Sequence, residues 1–160
     1  MKKKRILIVC TGNTCRSPLV EAIIADYLER SALKDKFIVS SGGISAQSGK
    51  PAHQYATQIA HELGLNLESH TTRKVDRHLL DESDLVLCVT DAHKFLLLRN
   101  FEGLLGKCFT LAECVSSDDI GDPYGQGIDA YRKIASDVKN LLPNLMEFLM
   151  KFFNESVDRQ

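Results

Sequence analysis

The sequence carries no surplus of charge. Its 20 Lys and Arg against 21 Asp and Glu leave a formal net charge of -1, so bulk electrostatics draws it neither to nucleic acid nor to an anionic membrane surface. The basic run Lys2-Lys3-Lys4-Arg5 leads straight into an apolar stretch and reads as a solvated approach to a strand. Long hydrophobic runs are also missing. The apolar stretch after that basic start is only Ile6 to Val9, too short for the core of a signal peptide, and no run is long enough to span a bilayer. An even set of cysteines is lacking: Cys10, Cys15, Cys88, Cys108 and Cys114 make five. An odd count without an export signal points to free thiols in a reducing cytoplasm. Metal-ligand spacing is missing as well. His53 and His61 share a helix face with no third or fourth ligand, so solvated histidines are expected, and neither a metal nor a cofactor is called for. Repeats, low-complexity tracts and interdomain linkers are absent. The 160 residues, 44% of them apolar, suit one domain over 1–153, with the tail from Asn154 to Gln160 expected to fray.

What remains is an alternation of strand and helix patterns. Arg5–Cys10 is a continuous apolar, β-branched run, as in a strand buried on both faces. Ser17 is placed to cap a helix and Pro18 suits its first turn. Leu19, Ile23, Tyr27 and Leu28 form one apolar stripe, so the spacing predicts a helix to about Ala32. Further strands are expected at Phe37–Ser40, Asp84–Thr90 and, more weakly, Lys107–Leu111. Further helices are expected at Ala52–Leu63, Ala92–Arg99 and from Ile128 onward, with Pro143 kinking or restarting the last. Most of Ala112–Gly127 reads as loop. Strands alternating with helices imply an α/β, three-layer, doubly wound fold: a four-stranded parallel sheet, order 2-1-3-4, with helices on both faces. Such sheets bind ligands beyond the carboxyl ends of the strands where strand order reverses, which is the end of strand one, at Cys10.

Cys10 opens the run Cys10-Thr11-Gly12-Asn13-Thr14-Cys15-Arg16-Ser17-Pro18. A loop this short, small and polar, set between a buried strand and a helix start, can wrap an anion with backbone N–H groups. Gly12 gives it backbone freedom, and Arg16 can grip two phosphate oxygens with its planar fork. The same positive features favour the thiolate of Cys10, which could attack phosphorus in line, while Ser17 could donate to the sulfur and help it leave. A nucleotide-binding P-loop fits poorly, because its second glycine and its lysine are missing.

This run closely resembles the signature of the low-molecular-weight protein tyrosine phosphatases. The resemblance extends through Ser41-Gly42-Gly43, His70, the Asp84–Thr90 strand and Asp122-Pro123-Tyr124. It implies Cys10 as nucleophile, Arg16 as phosphate ligand and Asp122 as general acid and then base. It also implies that Asn13, Ser17, Ser41 and His70 form a hydrogen-bond network holding the loop open. The residues independently suit the acid role, since a leaving group must be protonated as its bond to phosphorus breaks. Asp118 and Asp119 are nearby rivals without the following proline and aromatic. Tyr124 is placed to wall the substrate slot by stacking.

Thr14 bears most on substrate choice. Tyrosine-directed members of the family usually carry isoleucine there, and Thr14 resembles the bacterial protein-arginine phosphatase branch, which has phenylalanine where this chain has Tyr124. An isoleucine would leave a phosphoguanidinium's donors unpaired, at about 1–3 kcal/mol per buried group; threonine offers a hydroxyl. Phosphorylated proteins or peptides are therefore the expected partners, phosphoarginine ahead of phosphotyrosine. An arsenate reductase or a non-catalytic phosphate-binding module are the rival readings. Cys15 is either a redox partner for Cys10, as the resemblance implies, or a small core residue at the helix start.

Overall fold

The computed structural model describes residues 2–158. In chain order the elements are β1 (Lys4–Cys10), α1 (Arg16–Glu29), β2 (Phe37–Gly43), α2 (Gln54–Glu62), α3 (Arg77–Glu82), β3 (Leu85–Cys88), α4 (Asp91–Asn100), β4 (Cys108–Thr110), α5 (Leu111–Val115) and α6 (Ile128–Asp158). The strands form one parallel sheet in the order β2-β1-β3-β4, the doubly wound order expected from the sequence.

Period-two alternation along β1 explains why both sheet faces are covered. Ile6, Ile8 and Cys10 pack with Leu85 and Leu87 against α1, α2 and α6, in a cluster that includes Leu19, Ile23, Ile59, Tyr131, Val138 and Leu145. Leu7 and Val9 point the other way, packing with Val86, Cys88 and Cys108 against Leu79, Leu80 and Leu97 of α3 and α4. Ile6 to Val9 are fully buried. A strand with no solvent face holds its register firmly, because a slip of one residue would exchange the two clusters. That register puts the end of β1 beside Gly43, the last residue of β2.

Several expectations are revised. Ser17 does not cap α1: the helix begins at Arg16, with Cys15 in the cap position and no side-chain cap bond. Ser17 lies in the first turn and its hydroxyl serves the site instead. The stretch read as loop contains α5, started by Thr110 and Glu113 in a reciprocal capping box. The segment before β3 contains α3, capped by Asp76 on the Leu79 N–H. His53 is not a solvated member of a helix face. It is the N-cap of α2, taking the Tyr55 N–H on Nδ1 at 3.1 Å, and its ring stacks on Tyr131 at 5.2 Å between centroids. The α6 backbone runs through Pro143 without a restart and continues to Asp158, past the limit expected at Phe153. Arg159 and Gln160 lie outside the described residues. No helix among the described residues is long and apolar enough to cross a membrane.

Candidate active site

Thr11 to Cys15 turn from the end of β1 into α1, and the carbonyl oxygens of Cys10, Thr11, Asn13 and Thr14 are engaged by groups outside the turn. The Cys10 and Thr11 carbonyls accept from the Ile44 and Ser45 N–H groups, each at 2.9 Å, and the Thr14 carbonyl accepts from the His53 N–H at 2.8 Å. The Asn13 carbonyl accepts from His70 Nε2 at 2.9 Å, which places that ring's proton on Nε2. With these four carbonyls engaged elsewhere, the turn is free to present backbone N–H groups to an anion. The turn needs Asn13 at φ +58°, a left-handed conformation that asparagine tolerates better than most residues. It also needs a glycine beside it. A Cβ on Gly43 would lie 2.5 Å from the Thr11 carbonyl oxygen and 2.8 Å from the Asn13 nitrogen, so any side chain there would push the loop off the sheet.

The buried Asn13 side chain orients the nucleophilic end of the loop. Its Oδ1 accepts the Arg73 N–H at 3.0 Å. A backbone N–H can only donate, so this bond fixes the amide's orientation, and Nδ2 must donate to Ser17 Oγ and Ser41 Oγ, both at 2.9 Å. Ser17 Oγ lies 2.8 Å from Cys10 Sγ. With its oxygen already accepting from Asn13, Ser17 is set to give its proton to the sulfur when Cys10 is a thiolate. The Asn13 N–H adds a second donor to that sulfur, at 3.3 Å.

Arg16 is 7% exposed. A buried guanidinium needs partners, and it finds them in the loop after α5. Its Nη1 donates to the Ile120 carbonyl at 3.2 Å, and its Nη2 lies 3.7 Å from Asp122 Oδ2. Asp122 Oδ1 accepts the Tyr124 N–H at 3.0 Å, a tight local turn that holds the carboxyl. Cys10, Thr11, Gly12, Thr14, Cys15, Arg16, Asp122 and Tyr124 together line one cavity of about 320 Å³. The sequence-predicted residues therefore assemble in one place. Asn13, Ser17, Ser41 and His70 do not line the cavity but are joined by hydrogen bonds that reach Cys10 Sγ; Asp118 and Asp119 do not line it either.

Four residues that sequence reasoning missed also belong here. Arg73 orients Asn13 through its N–H and donates from Nε to the Ser41 carbonyl at 3.0 Å. Glu21 hydrogen-bonds Ser41, and burial raises its carboxyl above the usual range. Tyr131 Oη lies 3.3 Å from Cys15 Sγ; burial, then the Cys15 thiol, pushes the phenol up. His93 Nε2 lies 2.8 Å from Thr11 Oγ1. Arg73, His93 and Tyr131 are distant in sequence from the loop, and Glu21 lies one turn into α1. Among the described residues no group of three His, Cys, Asp or Glu is placed to hold a metal ion.

Burial, then the nearby Arg16 charge, pulls the His93 imidazole down to about 4. Its unfolded value is about 6.5, so between these values the unfolded chain binds the extra proton and acid favours unfolding. The stabilising contribution is complete above about pH 6.5 and is lost as pH falls through about 4. Urea unfolding at pH 7 and pH 4.5 should show wild type losing roughly 2–3 kcal/mol relative to His93→Gln, from a shift of this size. An unchanged difference between the two proteins would contradict the assignment.

The profile of the low molecular weight phosphotyrosine protein phosphatase family matches residues 5–157. The chain belongs to that family. It is 36% identical over 148 residues to a protein-arginine-phosphatase of Bacillus subtilis, covering 91% of this chain and 97% of that one. It is 30% identical to a probable low molecular weight protein-tyrosine-phosphatase of Erwinia amylovora, covering 84% and 90%. Its fold matches that of an arginine phosphatase at TM-score 0.85 and 34% identity, covering 92% of this chain and 96% of that one. That neighbour is a cysteine-to-serine mutant with a phosphorylated active-site serine. As a low molecular weight phosphatase, the chain is a hydrolase of the cysteine-dependent protein phosphatase class.

Proposed function

We propose that this protein hydrolyses phosphorylated protein side chains through a phosphocysteine at Cys10, with phosphoarginine as the favoured substrate. The observation that carries the reading is the placement of Cys10 Sγ, 2.8 Å from a serine hydroxyl, lining a cavity shared with Arg16, Thr14 and Asp122. The phosphorylated active-site serine of the mutant arginine phosphatase supports the covalent step.

In the first step Cys10 Sγ attacks phosphorus, and the bond from phosphorus to the side-chain nitrogen or oxygen breaks. Asp122 gives its proton to the departing atom. The loop N–H groups and Arg16 hold the three equatorial oxygens as their charge shifts. In the second step a water attacks the phosphocysteine and loses a proton to Asp122. The S–P bond breaks, inorganic phosphate leaves, and Ser17 donates to the returning thiolate.

For phosphoarginine, Thr14 is the selector. Thr14 lines the cavity, and its hydroxyl can accept from the guanidinium, as can the unprotonated oxygen of the Asp122 carboxyl. Tyr124 supports a second reading, phosphotyrosine, because it lines the same cavity and an aromatic ring can stack on a phenol. The experiment is a comparison of kcat/KM on matched phosphoarginine and phosphotyrosine peptides, for wild type and Thr14→Ile. Wild type should favour phosphoarginine. Thr14→Ile should move the ratio toward phosphotyrosine by roughly 10-fold to 100-fold, the scale of one pocket contact. An unchanged ratio removes Thr14 as selector.

A further inference from the structure

His93 is 5% exposed and is held at both ring nitrogens. Nε2 lies 2.8 Å from Thr11 Oγ1 and Nδ1 lies 2.9 Å from Thr90 Oγ1. Thr90 Oγ1 also accepts the His93 N–H at 3.3 Å, closing the cap of α4. A neutral imidazole has one donor and one acceptor nitrogen, and hydroxyls can take either part. Both neutral tautomers therefore satisfy the bridge. A cationic ring would donate from both nitrogens, would crowd a Thr90 oxygen that already accepts, and would add a charge near Arg16. The other charged groups acting on the ring are Asp122 and Asp119. A histidine kept neutral beside an anion seat is not placed there to bind phosphate by charge.

What the ring joins is more telling. Thr11 directly follows the nucleophile in the chain. Thr90 belongs to the β3–α4 junction, and that junction seats the acid loop by two hydrogen bonds. The Ile120 N–H donates to the Val89 carbonyl at 3.2 Å, and the Asp91 N–H donates to Asp119 Oδ2 at 3.2 Å. Asp122 follows Ile120 two residues later. The separation between sulfur and carboxyl is thus set across a short path: Cys10, Thr11, the His93 ring, the Thr90 junction, Ile120, Asp122. Arg16 closes the path on the other side through the Ile120 carbonyl.

We infer that His93 is a positioning residue that fixes the spacing between Cys10 and Asp122, by bridging Thr11 of the phosphate loop to the junction on which the acid loop is seated. The inference rests on the roles proposed above for Cys10 and Asp122. Its consequence is specific to the acid. A loop shifted by a fraction of an ångström still binds phosphate, but Asp122 meets the leaving group poorly, and misplacement on that scale is costly in rate.

The test uses the full chain and two phosphate esters, para-nitrophenyl phosphate with a good leaving group and phenyl phosphate with a poor one. Three variants are made. His93→Gln can reach Thr11, His93→Asn can reach Thr90 but not Thr11, and His93→Leu can reach neither. His93→Leu and His93→Asn should lower kcat on phenyl phosphate by roughly 10-fold to 100-fold, with KM within about threefold, and should lower it several-fold less on para-nitrophenyl phosphate. His93→Gln should stay within about fivefold of wild type on both. In an Asp122→Asn background, His93→Asn should cost less than about threefold, because the group it positions is already gone. Equal losses on the two esters, multiplicative losses with Asp122→Asn, or indistinguishable Gln and Asn variants would overturn the inference. If His93→Leu does not fold, the Gln and Asn pair decides the matter alone. A wild-type enzyme inactive on both esters and on phosphoarginine peptides would overturn the hydrolase reading itself, an outcome distinct from an active enzyme whose variants behave alike.

Discussion

Cys10→Ser should abolish turnover, lowering kcat below wild type by at least about 10⁴-fold, while inorganic phosphate or vanadate still binds. A serine hydroxyl at neutral pH is a far weaker nucleophile than a thiolate, and nothing at position 10 could activate it: Ser17 is oriented to donate to that atom, not to remove its proton. The anion seat is built by other groups. Its loop is held by the Ile44, Ser45, His53 and His70 donors, and its guanidinium by the Ile120 carbonyl, none of which involves the sulfur. Steady-state kinetics and isothermal titration with the oxyanion check both halves. Retained hydrolysis would refute the nucleophile assignment, and lost anion binding would show that the sulfur also maintains the loop.

Asp122→Asn should lower kcat by about 10²–10⁴-fold on substrates with poor leaving groups, the usual range for a positioned general acid, and far less on activated aryl esters that need no proton to depart. Structure favours Asp122 over its neighbours. Asp122 lines the cavity and its carboxyl lies 3.7 Å from the Arg16 fork, whereas Asp119 spends Oδ2 on the Asp91 N–H. A plot of log kcat against leaving-group pKa should be shallow for wild type and steep for Asp122→Asn. Parallel lines would argue that the carboxyl serves binding alone. Asp119→Asn should leave that slope unchanged.

The centre of the site was legible in the sequence for a physical reason. The strand, anion loop and helix start are consecutive residues, and each carries a local signature: a β-branched apolar run at Ile6 to Val9, small polar residues at Thr11 to Thr14, and Pro18 in the first turn. The parallel sheet followed from the alternation of strands and helices with right-handed crossovers and needed no single-residue detail; the order 2-1-3-4 is one choice among doubly wound arrangements. α3 and α5 were not legible, because helices of six and five residues are too short to display a helical period; only the Thr110–Glu113 capping pair marked one of them. The supports of the loop were hidden for another reason. His93, Arg73 and Tyr131 reach it from positions far along the chain, and one of Arg73's two contributions is a backbone N–H, which any residue but proline could supply. Ser17 shows the reverse effect. Its local pattern fits a helix cap, but tertiary contacts with Asn13 and Cys10 claim the hydroxyl.

The central claim, that Cys10 carries the phosphoryl group between substrate and water, is tested most directly by trapping the intermediate. Wild type and Asp122→Asn would be mixed with a phosphorylated substrate, quenched within milliseconds, digested and examined by mass spectrometry. The account predicts one phosphoryl group on the peptide containing Cys10, accumulating further in Asp122→Asn, where hydrolysis of the thiophosphate lacks its base. Full product formation with the Cys10 peptide unmodified at every quench time in both proteins would contradict it.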